Sequence, residues 1–155
     1  MSISLLVALA KYYRLMEKAT KNPAIIAPSG LDFVPGPGDD LESMIWVIAY
    51  AIMLHHQGSL QGSDKADYQH SVVNKYYGSL SYSGLADKRS LMLFYTFNPL
   101  ADGPEDWIPD PEQRKWFIGA MTLISGQIKP PSGGSNNSIT FDAFDALCDE
   151  FITDE

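Results

Sequence analysis

The sequence predicts an all-α fold, a helical bundle gathered around one buried helix, and three observations carry that expectation. Residues 44–54, Met-Ile-Trp-Val-Ile-Ala-Tyr-Ala-Ile-Met-Leu, are apolar or aromatic without a break. Elsewhere apolar residues recur at helical spacing, most clearly in residues 2–19 and 141–152. No stretch has the alternation of a half-buried strand, and no internal repeat competes. At 155 residues, 45% hydrophobic and 12% aromatic, the chain fits one domain with a real core.

In chain order, residues 2–19 form the first predicted helix, with Leu5, Leu6, Leu9, Tyr12, Tyr13 and Met16 near one face. Asn22-Pro23 ends it. Residues 22–38 hold four prolines and three glycines and read as an irregular connector, anchored by Ile25, Ile26, Leu31 and Phe33 so that it packs down. The central helix follows, from Asp39 to about His56, closed by Gly58. Asp39 suits an N-cap, Glu42 stands where a capping box wants an acid, and both charges favour the positive helix end. Its body has no clear polar face, so protein should surround it; it is too short to span a bilayer.

A polar loop over 57–64 leads to a helix from Ala66 to Tyr77, then a second from Leu85 to Phe97 after a Gly-bounded break. Asn98 to Pro111 is a Pro- and Asp-rich loop, and Pro111 suits the first turn of a helix reaching about Ser125. Lys129 to Ser138, with Pro130-Pro131 and Gly133-Gly134, reads as a flexible loop. Thr140 caps a final helix, Phe141 to Ile152, with Phe144, Leu147, Cys148 and Phe151 on its apolar face.

The stretch Asp39-Asp40-Leu41-Glu42-Ser43 resembles the entry to the central helix of the protein-kinase C-lobe, and more closely the Asp-Leu-Glu-Ser version of the fungal-type protein kinase family. The resemblance gives Asp40 the place of an aspartate that is buried at the helix start and hydrogen-bonds the catalytic loop; Ser43 matches the motif serine. Met1-Ser2-Ile3-Ser4-Leu5-Leu6 looks like that family's Phe-Met-Ser-x-x-Leu-Leu segment at the end of the activation segment. Leu85-Ala86-Asp87-Lys88-Arg89-Ser90-Leu91 resembles its Ala-x-x-Lys-Arg-x-Leu stretch. Asp110-Pro111-Glu112-Gln113-Arg114 is similar to a kinase Asp-Pro-x-x-Arg, but the glutamate that such an arginine pairs with is replaced by Ser4, so Arg114 is read as a surface residue.

The resemblance implies a C-lobe-like module from residue 1 to 155, with Asp39, Asp40, Glu42 and Ser43 as a structural motif. No glycine-rich phosphate loop, Val-Ala-x-Lys strand, His-Arg-Asp loop or Asp-Phe-Gly site occurs in the sequence. Catalytic and cofactor-binding residues are therefore not expected, and the function expected is binding of a protein partner or self-association. Two alternatives stay open: the C-terminal part of an active kinase whose catalytic residues lie on another segment, and an unrelated helical interaction module.

Composition excludes other classes. With 11 Lys and Arg against 19 Asp and Glu, a net charge of -8, neither nucleic acid nor an anionic membrane is an expected partner. Cys148 is the sole cysteine, so no disulfide framework or cysteine metal site is expected. His55 and His56 are adjacent and point apart on a helix, His70 adds little, and the acids Asp102, Glu105, Asp106 and Asp110 read as solvated charge rather than a metal site. Trp46, Trp107 and Trp116 read as packing residues. Ser2 to Ala10 imitates a signal peptide, yet it lacks a positive n-region and continues into an amphipathic helix, so a cytoplasmic or nuclear location is expected ahead of secretion. The sequon Asn136-Asn137-Ser138 matters only in the secreted case.

Overall fold

Every regular element among the described residues is a helix. The computed structural model describes residues 1–59, 72–78, 81–98, 103–128 and 139–152. The helices are α1 (Ile3–Lys21), α2 (Pro37–Ser59), α3 (the helical residues 72–77), α4 (Tyr82–Thr96), α5 (Pro104–Trp107), α6 (Pro111–Ile128) and α7 (Phe141–Ile152). The all-α expectation holds. The loop predicted over 129–138 lies outside the described residues, as does the part of the predicted 66–77 helix before residue 72.

Local chemistry fixes most of these boundaries. Ser2 caps α1, its hydroxyl accepting from the Leu5 amide at 3.1 Å, and Asn22 leaves the helix in extended backbone as the residue before a proline must. Ser81 caps α4 by accepting from the Gly84 amide at 3.1 Å. Asp110 caps α6, its carboxylate accepting from the Gln113 amide at 2.8 Å, with Pro111 pre-set for the first turn. Thr140 caps α7 as the sequence predicts, accepting from the Ala143 amide at 3.2 Å.

Two expectations about the first half are corrected. The connector does not pack down throughout: Ile25, Leu31 and Phe33 are half-buried, but Ile26 and Val34 are almost fully exposed. The second helix starts at Pro37, two residues early, because Pro37 supplies the fixed φ of a first helical position. Asp39 therefore sits inside the first turn. Its carboxylate reaches back to accept from the Gly36 amide at 2.9 Å, the part that the sequence assigns to Glu42.

Packing centres on α6. α1 lies on α4, while α6 touches α2, α4, α5 and α7. Trp116, Phe117, Ala120, Met121 and Ile124 of α6 are buried. α7 comes close at Gly119, where a Cβ would stand 2.5 Å from the Leu147 side chain. The ring of Trp107 in α5 lies 5.0 Å from Tyr76 and 6.2 Å, edge-on, from Phe117. All three tryptophans are buried, as expected.

The expected central helix is only half-surrounded. α2 buries Leu41, Ile45, Trp46, Ala49 and Met53 but leaves Met44, Val47, Tyr50 and Leu54 exposed. Position in the bundle, not apolar content, decides which helix is central. Among the described residues no helix is long and apolar enough to cross a membrane.

Candidate functional site

The first turn of α2 joins two helix starts. Asp39, held by the Gly36 amide through one oxygen, accepts through the other from the Ser2 hydroxyl at 2.6 Å. Ser2 in turn accepts from Leu5, so one hydroxyl caps α1 and ties it to α2. Glu42 is 2% exposed, and a single carboxylate oxygen accepts from the Ile3 amide at 2.7 Å and from the Trp46 indole N–H at 2.9 Å. Ile3 opens α1, and its N–H is one of the donors that a helix start leaves unpaired. Glu42 thus serves the start of α1, thirty-nine residues away, rather than its own helix. Ser43 donates to the Asp39 carbonyl at 2.7 Å.

Asp40 behaves differently from its three neighbours. Its side chain is exposed. Asp40 does not have the buried position that the kinase resemblance implies for it; the buried carboxylate of this turn is Glu42.

Arg89 of α4 completes the cluster. It is 8% exposed, its guanidinium lies 4.9 Å from the Trp46 ring, and its Nη1 donates to the Met1 carbonyl. Its Nε is buried without a hydrogen-bond acceptor. No ion pair forms between Arg89 and a carboxylate among the described residues; Glu42 acts on it through space. Burial pushes the Glu42 carboxyl above its usual range, against the Trp46 and Ile3 hydrogen bonds and the Arg89 charge, while Asp39 adds to the rise. Burial lowers the Arg89 pKa, opposed by Tyr77 and Glu42. Tyr77 donates to the Trp46 carbonyl at a long 3.5 Å, and burial raises its phenol pKa.

No family model, curated protein or solved structure matches this chain.

Beside the cluster, Tyr50, Val73, Asn74, Tyr77, Leu85 and Arg89 line a pocket of about 300 Å³. Along the outer side of α2 runs a second feature. Met44 (50% exposed), Val47 (65%), Ala51 and Leu54 (40%) follow one another at intervals of three and four residues, with Tyr50 alongside and Asp40 at the N-terminal end. That spacing puts them on one stripe of the helix.

The remaining candidates fall to structural roles. His56 is buried against Gln113, its Nε2 lying 3.0 Å from the amide oxygen, while His55 is exposed. Asp106 accepts from the Gly103 amide at 3.2 Å and Asp110 caps α6. Glu105 is exposed, and Arg114 is half-buried. Among the described residues no three His, Cys, Asp or Glu side chains gather as a metal ion would require. His70, Asp102 and the Asn136 sequon lie outside the described residues. Asp39, Glu42 and Ser43 stand out in the sequence, but the partners of Asp39 and Glu42 do not, since Ser2 and Ile3 belong to the start of α1. Arg89 stands out only through the 85–91 resemblance.

Proposed function

We propose that this chain is a non-catalytic, kinase-C-lobe-like module that binds a protein along the outer face of α2. The observation that supports the reading is the stripe of Met44, Val47, Ala51 and Leu54, apolar side chains held open to solvent on a helix whose opposite side is core. An isolated exposed leucine needs no explanation, but a helical stripe is the surface that a groove or a second helix covers. Covering the open half of Met44, Val47 or Leu54 returns roughly 1 kcal/mol each, taking half of the full burial of such a side chain.

The motif residues support the non-catalytic half of the reading. Asp39 and Glu42 are engaged in holding α1 against α2, and Ser43 donates within α2 to the Asp39 carbonyl. Cross-linking in the source cell tests the binding half: a photoreactive phenylalanine analogue at position 47 is expected to give a discrete protein adduct, and the same group at the exposed Glu105 is not. Equal labelling at both positions would contradict the reading. A magnesium–ATP titration followed by thermal unfolding tests the other half, and a saturable stabilisation would refute it.

A second reading, the C-terminal part of an active kinase, is favoured by one residue. Asp40 is an exposed carboxylate where the resemblance wants one buried against a catalytic loop. An Arg-Thr-Gly-Thr-like segment, a catalytic aspartate and a metal-binding aspartate encoded in frame upstream of Met1 would establish that reading; a stop codon there would remove it.

A further inference from the structure

We propose that the protein bound by the α2 stripe is a second copy of this chain, its α2 lying antiparallel to the first across a two-fold axis; the inference rests on the reading of that stripe as a protein-binding surface. Met44, Val47, Ala51 and Leu54 follow at intervals of three, four and three residues, the spacing by which two helices mesh along an apolar seam. All four are exposed, and Asp40, four residues before Met44, stands at the end of the same line.

Charge favours a copy at this place. The chain carries a net charge of -8, so much of its surface repels another copy. Two copies meeting on the outward face of α1 would set Lys11, Arg14 and Lys18 against the same cations, and on α7 would set Asp142, Asp145 and Asp149 against the same acids, all of them exposed. α2 has no Asp, Glu, Lys or Arg from Ser43 to Leu54, so two copies meet there without that repulsion. Nor does the stripe carry a charge for a different protein to match. The complement it calls for is a row of apolar side chains at the same spacing, which is the stripe itself.

The direction of pairing follows from Asp40 and from side-chain size. Parallel helices would place Asp40 beside the Asp40 of the other copy. Antiparallel helices related by an axis midway between Val47 and Ala51 put the two carboxylates at opposite ends of the seam, about 27 Å apart at the rise of an α-helix. In that register Met44 meets Leu54, and Val47 meets Ala51, so each central layer sets a small side chain against a branched one. Four positions per copy make a small interface, and association is expected to be weak, at roughly 0.1 to 1 mM.

Sedimentation equilibrium of the purified chain, loaded from about 10 µM to about 1 mM, is expected to show the mass rising from 17.1 kDa toward twice that value. Val47→Glu changes an exposed side chain, so it is expected to keep the unfolding midpoint and to weaken association at least about tenfold. Oxidation of an equimolar mixture of Val47→Cys and Ala51→Cys chains, both carrying Cys148→Ser, reads the direction: the mixed disulfide is expected well beyond its statistical share. A mass of one chain throughout, association unchanged by Val47→Glu, or a statistical mixture of disulfides would overturn the proposal. A monomeric chain that still forms an adduct with another protein at position 47 in the source cell overturns the self-pairing and leaves the protein-binding reading standing; a monomeric chain with no adduct there overturns both.

Discussion

α6 opens with four polar residues, Glu112 to Lys115, yet α2, α4, α5 and α7 all pack on it; α2 carries no charge from Ser43 to Leu54, yet one side of it faces solvent. The apolar residues of α6 are spent on the core: Phe117, Ala120, Met121 and Ile124 are fully enclosed. Those of α2 are divided. Leu41, Ile45, Ala49 and Met53 face inward, while Met44, Val47 and Leu54 face out; and the side that faces inward also buries a carboxylate, Glu42. Folding of this chain explains every apolar residue of α6 named here and only four of the seven named on α2. The other three are what supports a protein-binding role.

The comparison breaks or sharpens at particular side chains. The largest effect is expected on α6: Phe117→Ala should lower unfolding stability by roughly 3–5 kcal/mol in urea titrations, through loss of burial and the cavity left beside Trp107. Next comes the inward side of α2. Glu42→Ala strands the Ile3 amide and the Trp46 indole N–H, at roughly 1–3 kcal/mol for each buried donor. A drop as small as that of a surface mutation would show that the joint between α1 and α2 does not hold the fold.

Glu42→Gln separates hydrogen bonding from charge. The amide oxygen keeps both acceptor contacts, and the ionisable group is gone. Burial raises the folded carboxyl's pKa, so between the ordinary carboxylate range and that raised value the native chain holds more protons than the unfolded one. The contribution of Glu42 to stability is therefore fully present below the ordinary range and falls as pH rises through the window. Urea midpoints of the native chain are expected to decline relative to Glu42→Gln over that rise; a parallel pair of profiles would contradict the burial of the charge. The smallest effect belongs to the outer stripe. Val47→Ser and Met44→Ser should each change unfolding stability by no more than about 0.5 kcal/mol, as surface substitutions do.

What could be read from the sequence was local. The Thr140 cap, Pro111 at the start of α6 and the packing of Trp46, Trp107 and Trp116 all follow from neighbours a few residues away. The start of α2 is not legible because Pro37 and Gly38 resemble loop residues, although Pro37 is the first helical position. Glu42 has the right type and spacing for a capping box, and nothing nearby in sequence tells that its oxygen is taken by Ile3 instead. The same holds for His56, whose partner Gln113 is fifty-seven residues on. The open side of α2 was hidden for the opposite reason, since a helix apolar all round gives no sign of which side its own chain will leave uncovered.

Cross-linking yield at position 44, measured in the source cell with and without the pair Val47→Glu and Leu54→Glu, tests the role of the α2 stripe most directly. Both substituted side chains are largely open to solvent, so the pair is expected to leave the unfolding midpoint of the isolated chain within the range of surface mutations. A protein adduct at position 44 that the pair abolishes is expected. An adduct that survives both charges, or none at all in the unsubstituted chain, would contradict it.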